Sequence, residues 1–201
     1  MKKALMILLI AGLSACGSGG EQKTATTDGQ AGHGDHAGHT DSTAAATREA
    51  KPKSPKQMAM ANVGDNHIHI EYSAPSMRGR QIFGGLVAYD EVWVTGAHKA
   101  TNISFKQDVL INGTSIPAGK YGFFSIPGQD KWTLILNKDW DMHLADKYTQ
   151  DNDLLRLEVY PQTLDTPVEM LSFSVTEKDS QTGTISFSWD TIAVSFEVKN
   201  D

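Results

Sequence analysis

The feature that most limits the fold is a two-residue alternation of apolar and polar side chains that begins at His67. Residues 67–72 alternate cleanly, and similar short segments recur to the end of the chain, separated by turn residues. Successive side chains of a strand point to opposite faces, so this period is typical of strands with one buried face. About ten such segments without alternating helices predict an all-β fold, an antiparallel β-sandwich or jelly roll.

Local signals refine this prediction. Asn112-Gly113 separates two apolar segments and predicts a tight hairpin. The apolar parity flips between residues 185–189 and 192–198, which predicts a tight turn or a bulge at residues 190–191. Residues 92–95 are predicted to form a strand, 140–148 a short helix and 59–63 a turn. We expect the tryptophans in the second half of the chain to lie in the core: Trp132, Trp140 and Trp189.

The N-terminus indicates where the chain goes. Two lysines precede an apolar stretch, residues 4–10, that is too short to span a bilayer. Leu-Ser-Ala-Cys at 13–16 then resembles the bacterial lipobox, which predicts a signal peptide over 1–15 and an acylated Cys16. The alternative is an ordinary secretory signal with an incidental cysteine. Because Cys16 is the only cysteine, no internal disulfide can form.

These features predict a lipoprotein of the bacterial cell envelope, anchored to the periplasmic face or the outer membrane. Its expected partner is the membrane, through the lipid anchor. The net charge of −6 and the lack of a basic run in the sequence argue against nucleic acid as a partner. Protein partners cannot be inferred from the sequence.

Between the anchor and the domain lies a polar segment that we predict to be a disordered tether, residues 16–54, followed by the domain at 55–201. The tether carries three histidines at a spacing of three residues: His33, His36 and His39. Three imidazoles on one flexible chain can wrap a copper, nickel or zinc ion. The alternative is a soluble spacer that happens to contain histidine.

Four segments of the domain resemble the bacterial family known as domain of unknown function 2911: YSAPSMRGRQIFG at 72–84, VWVTGA at 92–97, AT at 100–101 and PAGKY at 117–121. The resemblance covers about residues 55–199, and it implies an exported β-sandwich-like domain with no established activity. The chain departs from the family pattern at Val94, where the family tends to have Arg, and at His98-Lys99, where it tends to have Asn-Glu. A role that rests on that Arg or Asn would not carry over.

Two groups of residues in the domain suggest binding chemistry. His67 and His69 share one strand face, away from Ile68, and would present two metal ligands; a third would have to come from elsewhere, with His98 and His143 as the histidines left in the domain. The alternative is a pair of exposed polar positions.

The second group combines Arg78 and Arg80 with Trp93 and His98, and it predicts a pocket in which two guanidinium groups clamp a carboxylate or phosphate. The alternative is structural ion pairing with the acids at 90–91.

The sequence therefore leaves three functions open. The first is a non-enzymatic protein that binds a transition metal, copper or zinc, through the tether histidines and His67 and His69. The second is a small-ligand or glycan-binding module around Arg78 and Arg80. The third is a hydrolase, ranked last because no nucleophile elbow or nucleophile–base pair stands out. The balance favours a protein that is not an enzyme.

Overall fold

The computed structural model describes residues 53–201, which contain ten β-strands and one 3-10 turn, Gln150–Asn152. The strands are β1 Lys56–Val63, β2 Asn66–Ser73, β3 Thr101–Phe105, β4 Val109–Ile111, β5 Thr114–Ile116, β6 Gly119–Ile126, β7 Trp132–Asn137, β8 Asp153–Val159, β9 Gln162–Glu177 and β10 Thr182–Asn200. No helix among these residues is long and apolar enough to cross a membrane.

The strands form two antiparallel sheets. Six strands pair in the order β1-β2-β3-β6-β7-β8, and four pair in the order β5-β4-β10-β9. Aromatic side chains from both sheets meet in the core: Phe123 of β6 stacks on Phe196 of β10 with ring centroids 5.8 Å apart, and it meets Phe173 of β9 edge-on at 6.0 Å. The all-β, sandwich-like prediction is therefore confirmed.

Two predicted turn features are also confirmed. β4 and β5 are joined by Asn112-Gly113, with φ of +48° and +79°, and two successive positive φ values are what a tight hairpin turn requires. β10 runs unbroken through the parity flip, but its register with β9 shifts on both sides of Asp190, where φ is +54°. The flip is thus a bulge within one strand, and it keeps Trp189 and Val194 both buried.

Four local predictions are wrong. Residues 59–63 lie in β1, which pairs with β2 along its whole length. Residues 140–148 form turns, because Met142 is buried against Phe124 and Ile135 and a bridge joins Lys99 to His143. Residues 92–95 form one isolated bridge, not a strand. Trp132 and Trp189 are buried as expected, but Trp140 is 42% exposed.

Candidate functional site

The connection between β2 and β3 carries most of the candidate site. Residues 74–100 form turns and isolated bridges, and none of them belongs to a named strand. Hydrogen bonds fix the connection to both sheets: Met77 N donates to Glu169 O at 2.8 Å, and Trp93 and Ser125 exchange two backbone bonds. An ordered connection of this length is uncommon in a compact domain and is typical of binding loops.

A cavity of about 410 Å³ lies against this connection, and we call it the arginine cavity. All four residues that the sequence suggested for a ligand pocket line it: Arg78, Arg80, Trp93 and His98. The other lining residues are Lys53, Ser54, Pro75, Leu86, Val87, Val94, Gly96, Ala97, Leu144 and Trp189. The volume is at the small end of the range for small-molecule sites.

The wall of the arginine cavity is basic. Lys53, Arg78 and Arg80 contribute cationic side chains, and no aspartate or glutamate is among the described residues that line it. The chain as a whole has a formal net charge of −6, so the cavity is opposite in sign to the rest of the protein. A concave basic surface attracts anions because its low-dielectric walls focus the field.

The two arginines are held by backbone carbonyl groups. Arg78 Nη2 donates to Lys53 O at 2.9 Å, and Arg80 Nε and Nη2 donate to carbonyl oxygens of residues 76–77 at 3.0 and 2.6 Å. Neither arginine forms an ion pair with a described carboxylate, including the acids at 90–91. Since a guanidinium carries five N–H donors, both groups retain donors for a carboxylate or phosphate.

Two tryptophans supply an apolar side to the same cavity. Trp93 and Trp189 stack with ring centroids 5.8 Å apart and planes inclined by 24°. Their indole N–H groups donate to backbone carbonyls, Trp93 Nε1 to Gly96 O at 3.0 Å and Trp189 Nε1 to Glu169 O at 3.3 Å. With its donor already bonded, the half-buried Trp93 offers the cavity ring surface for an apolar or aromatic group, and the buried Trp189 supports it from behind.

Three of the seven described non-glycine residues with positive φ line the arginine cavity. The angle φ is +51° at Arg78, +65° at His98 and +54° at Leu144. Two hydrogen bonds hold these conformations: Arg78 N donates to Glu169 Oε1 at 3.0 Å, and Leu144 N donates to His98 O at 2.7 Å. Left-handed conformations cost non-glycine residues roughly 1–2 kcal/mol each, and such strain tends to occur at functional sites.

The family of the chain follows from a sequence profile. The profile of the family described as protein of unknown function (DUF2911) matches residues 54–198. The chain belongs to the DUF2911 family. The match contains both sheets apart from the last two residues of β10, and every residue of the arginine cavity except Lys53, so the predicted resemblance is confirmed.

No curated protein and no solved structure matches this DUF2911 protein. Its chemistry must therefore be argued from its own residues. Val94 and His98, where the sequence is expected to depart from the family pattern, both line the arginine cavity.

The two histidines of β2 lie on the outer face of the six-stranded sheet, as predicted. His67 is exposed, His69 is half-buried, and the intervening Ile68 is buried in the core. Their ring centroids are 6.2 Å apart. The expected third ligand is not found, because the described residues contain no group of three His, Cys, Asp or Glu side chains that could hold a metal ion.

His98 and His143 lie elsewhere. An isolated β-bridge joins Lys99 to His143, and His98, which precedes Lys99, lines the arginine cavity. Neither His98 nor His143 is therefore grouped with His67 and His69 among the described residues, and a metal-binding role of His67 and His69 stays a prediction.

Several predictions fall outside the described residues. The acylated Cys16, the signal peptide over 1–15 and the metal-binding histidines His33, His36 and His39 all precede residue 53. They stay predictions from the sequence.

A second charged surface lies beside the histidine strand. Lys120 Nζ donates to Glu71 Oε2 at 2.6 Å and lies 4.5 Å from the centroid of the Trp140 ring. That hydrogen bond is the main cause that lowers the pKa of Glu71 below its usual value. Asn102, on β3 next to Glu71, has a buried Oδ1 without a partner among the described residues. The charges of this surface are already paired, so it attracts an ion less than the arginine cavity does.

Sequence reasoning missed Lys53, Leu144 and Trp189 as members of the arginine cavity. Trp189 was expected only in the core, and it is both buried and part of the cavity wall. Nothing in the local sequence signals this, because Trp189 is about a hundred residues from Arg78 and Trp93 along the chain.

Proposed function

We propose that this DUF2911 protein binds a small organic anion, with a carboxylate or phosphate group and an apolar body, in the arginine cavity. The observation that carries the proposal is that Arg78, Arg80 and Trp93 line one basic cavity together with His98. This proposal places anion binding ahead of metal binding, which reverses the ranking from the sequence. The described residues bring all four ligand-pocket residues to one cavity, and they contain no group of three His, Cys, Asp or Glu side chains that could hold a metal ion.

The chemistry of the wall defines the class of ligand. The guanidinium donors of Arg78 and Arg80 suit the paired oxygens of a carboxylate or phosphate, which accept two parallel hydrogen bonds. The ring of Trp93, backed by the buried Trp189, suits a flat or aliphatic group on the same ligand. A neutral glycan would leave the cationic groups without a partner, so an acidic ligand is favoured.

We propose further that the binding domain is held at the bacterial cell envelope by a lipid on Cys16. The support is the lipobox-like sequence at 13–16 behind a short apolar segment. Metabolic labelling with a fatty-acid analogue should acylate the native chain, whereas Cys16→Ser should remain unlabelled. Equal labelling of both chains would refute the anchor.

The binding proposal is tested by titrating the full-length chain with phenyl phosphate and with benzoate while tryptophan fluorescence is recorded. Because Trp93 and Trp189 line the cavity, bound ligand should change their emission. Arg80→Ala should weaken binding by about tenfold or more, since it removes charge-assisted hydrogen bonds worth roughly 1.5–3 kcal/mol. Affinity should also fall with added salt.

Matched controls separate specific binding from general attraction. Lys106→Ala removes one positive charge at an exposed position outside the cavity and should leave affinity unchanged. Benzylamine has a similar ring but a positive charge, and it should not bind. Equal losses in Arg80→Ala and Lys106→Ala, or equal binding of benzylamine, would refute the cavity as an anion site.

A further inference from the structure

The outer face of the six-stranded sheet brings two methionines next to the two histidines of β2. In the antiparallel register of β1 and β2, Met60 is the direct partner of His69, and Asn62 is the direct partner of His67. Met58 is two residues before Met60 and therefore lies on the same face. We call these four side chains the Met/His patch: Met58, Met60, His67 and His69.

A hydrogen bond demonstrates that the partners share one face. Asn62 Oδ1 accepts from His67 Nδ1 at 2.8 Å, which is possible only if both side chains leave the same side of the sheet. Met60 and His69, two residues along each strand, leave the same side as well. Directly opposite residues have Cβ atoms roughly 4.5–5.5 Å apart, and diagonal ones are still within reach of long side chains.

The same hydrogen bond prepares His67 to bind a metal. With an amide oxygen as its partner, Nδ1 carries the proton, so Nε2 keeps its lone pair. A partner of this kind fixes the tautomer and ring orientation of metal-bound histidines. Asn62 thus acts as a positioning residue.

His69 presents the second observation that points to a ligand. Its Nε2 is inaccessible to solvent and has no hydrogen-bond partner among the described residues. A buried ring nitrogen without a partner is rare in folded proteins and calls for an explanation. An ion bound between the imidazole and a neighbouring side chain would supply the missing partner.

The methionines are exposed where apolar side chains are not expected. Met58 is 60% exposed and Met60 is 48% exposed, both on the edge strand β1. A methionine side chain has three rotatable bonds and a polarisable sulfur, so it can turn toward a neighbouring group. Exposed thioethers beside imidazoles favour a soft metal ion, since thioether sulfur binds Cu(I) and does not suit hard cations.

We propose that the Met/His patch binds one Cu(I) ion, with His69 and Met60 as the central ligands. Two imidazoles bound to one ion at about 2 Å per bond place their ring centres at most about 6.5 Å apart, and the observed 6.2 Å satisfies that limit. The site is separate from the proposed anion cavity, because no residue of the patch lines that cavity. It also needs no third histidine or carboxylate, which the described residues do not supply.

The test is an anaerobic titration with Cu(I) in competition with a chromophoric Cu(I) chelator. The full-length chain carries four substitutions that remove other strong metal ligands N-terminal to the domain: Cys16→Ser, His33→Ala, His36→Ala and His39→Ala. We call this variant the background. The free thiol must be removed because thiolate sulfur binds Cu(I) strongly. We expect this background to hold one Cu(I) per chain, with sulfur in the first shell by X-ray absorption.

Two variants are then compared in the same background. The double variant Met58→Leu and Met60→Leu keeps volume and apolarity but removes both thioethers, so Cu(I) affinity should fall by about 100-fold while Zn(II) affinity is unchanged. Met170→Leu, an exposed methionine of β9 at 37%, is the matched control and should have no effect. His69→Ala should also abolish retention of Cu(I).

Other outcomes overturn the proposal. Equal Cu(I) affinity with and without the two thioethers, a first shell of nitrogen and oxygen alone, or no Cu(I) held by the background against the chelator would each exclude the patch as a copper site. Arg80→Ala should leave Cu(I) binding intact, so failure of the anion proposal and failure of this one are distinguishable.

Discussion

The strained backbone at the arginine cavity leads to a prediction about stability that glycine and alanine variants of His98 can isolate. His98 has φ of +65°, and its exposed side chain makes little contact that a substitution would remove. His98→Ala and His98→Gly both delete the imidazole. Only glycine relieves the left-handed backbone, because it lacks the Cβ that disfavours this region.

The magnitude follows from two opposing terms. Relief of the left-handed strain favours the glycine variant by roughly 1–2 kcal/mol. The greater freedom of glycine in the unfolded chain costs about 0.5–1 kcal/mol. We therefore expect His98→Gly to unfold with a free energy about 0.5–1 kcal/mol higher than His98→Ala, which is a shift in Tm of roughly 1–4 °C for a domain of this size.

The assay is urea unfolding followed by tryptophan fluorescence, with the two variants compared at constant pH and salt. Tyr160 provides a control, since it is exposed between β8 and β9 and does not have a positive φ. There the order should reverse, with Tyr160→Gly less stable than Tyr160→Ala. If His98→Gly proved no more stable than His98→Ala, the idea that the cavity wall stores backbone strain would be refuted.

Three further predictions concern packing, titration and turn geometry. A Cβ at Gly183 would clash with Val63 Cγ2, so Gly183→Ala should lower the free energy of unfolding by about 1–3 kcal/mol. In the double variant with Val63→Ala, the loss in the free energy of unfolding measured in urea should be smaller than the sum of the two single losses. A loss equal to that sum would contradict the clash. Burial, followed by the hydrogen bond to Asp153, raises the pKa of Tyr148 to about 12 from its usual 10.0. The folded state therefore binds this proton more tightly, so the stabilisation is complete below pH 10 and is lost as the pH rises through 12. The free energy of unfolding, measured between pH 10 and pH 12, should show this loss in the native chain and not in Tyr148→Phe. Identical slopes of that free energy against pH in the two chains would refute the prediction. Gly113→Ala should cost about 1 kcal/mol from its φ of +79° alone, since a Cβ there meets nothing within 4 Å; an unchanged urea midpoint would argue against the turn geometry.

The fold was largely predictable because its signals are local. Alternation along β2 and the Asn-Gly turn between β4 and β5 each depend on a few neighbouring residues, and both are confirmed. β1 was missed because its inner positions are small or half-buried, and its strand conformation depends on pairing with β2 from Lys56↔Ser73 to Val63↔Asn66. The turns at 140–148 were missed for a similar reason, since burial of Met142 against Phe124 depends on a distant strand.

The candidate sites were predictable in part for the same physical reason. Arg78, Arg80, Trp93 and His98 lie within about twenty residues of one another, so one ordered connection brings them to one cavity. The contribution of Trp189 depends on β10 passing beneath that connection, which no short-range pattern indicates. The juxtaposition of Met60 with His69 likewise needed the register of β1 and β2, because side chains on two strands share a face only once that register is known.

The presence of histidine at position 98, where φ is +65°, has a physical explanation in the same strain. Asparagine and histidine are among the side chains that tolerate the left-handed region best. A chain that keeps φ positive at this point of the cavity wall is therefore restricted to a few residue types there, but that set still includes both an amide and an imidazole side chain. The backbone of the cavity is thus constrained more tightly than its chemistry. This is what we expect of a binding domain in which one connection is held rigidly by Glu169 and Leu144 while individual wall residues adapt to the ligand.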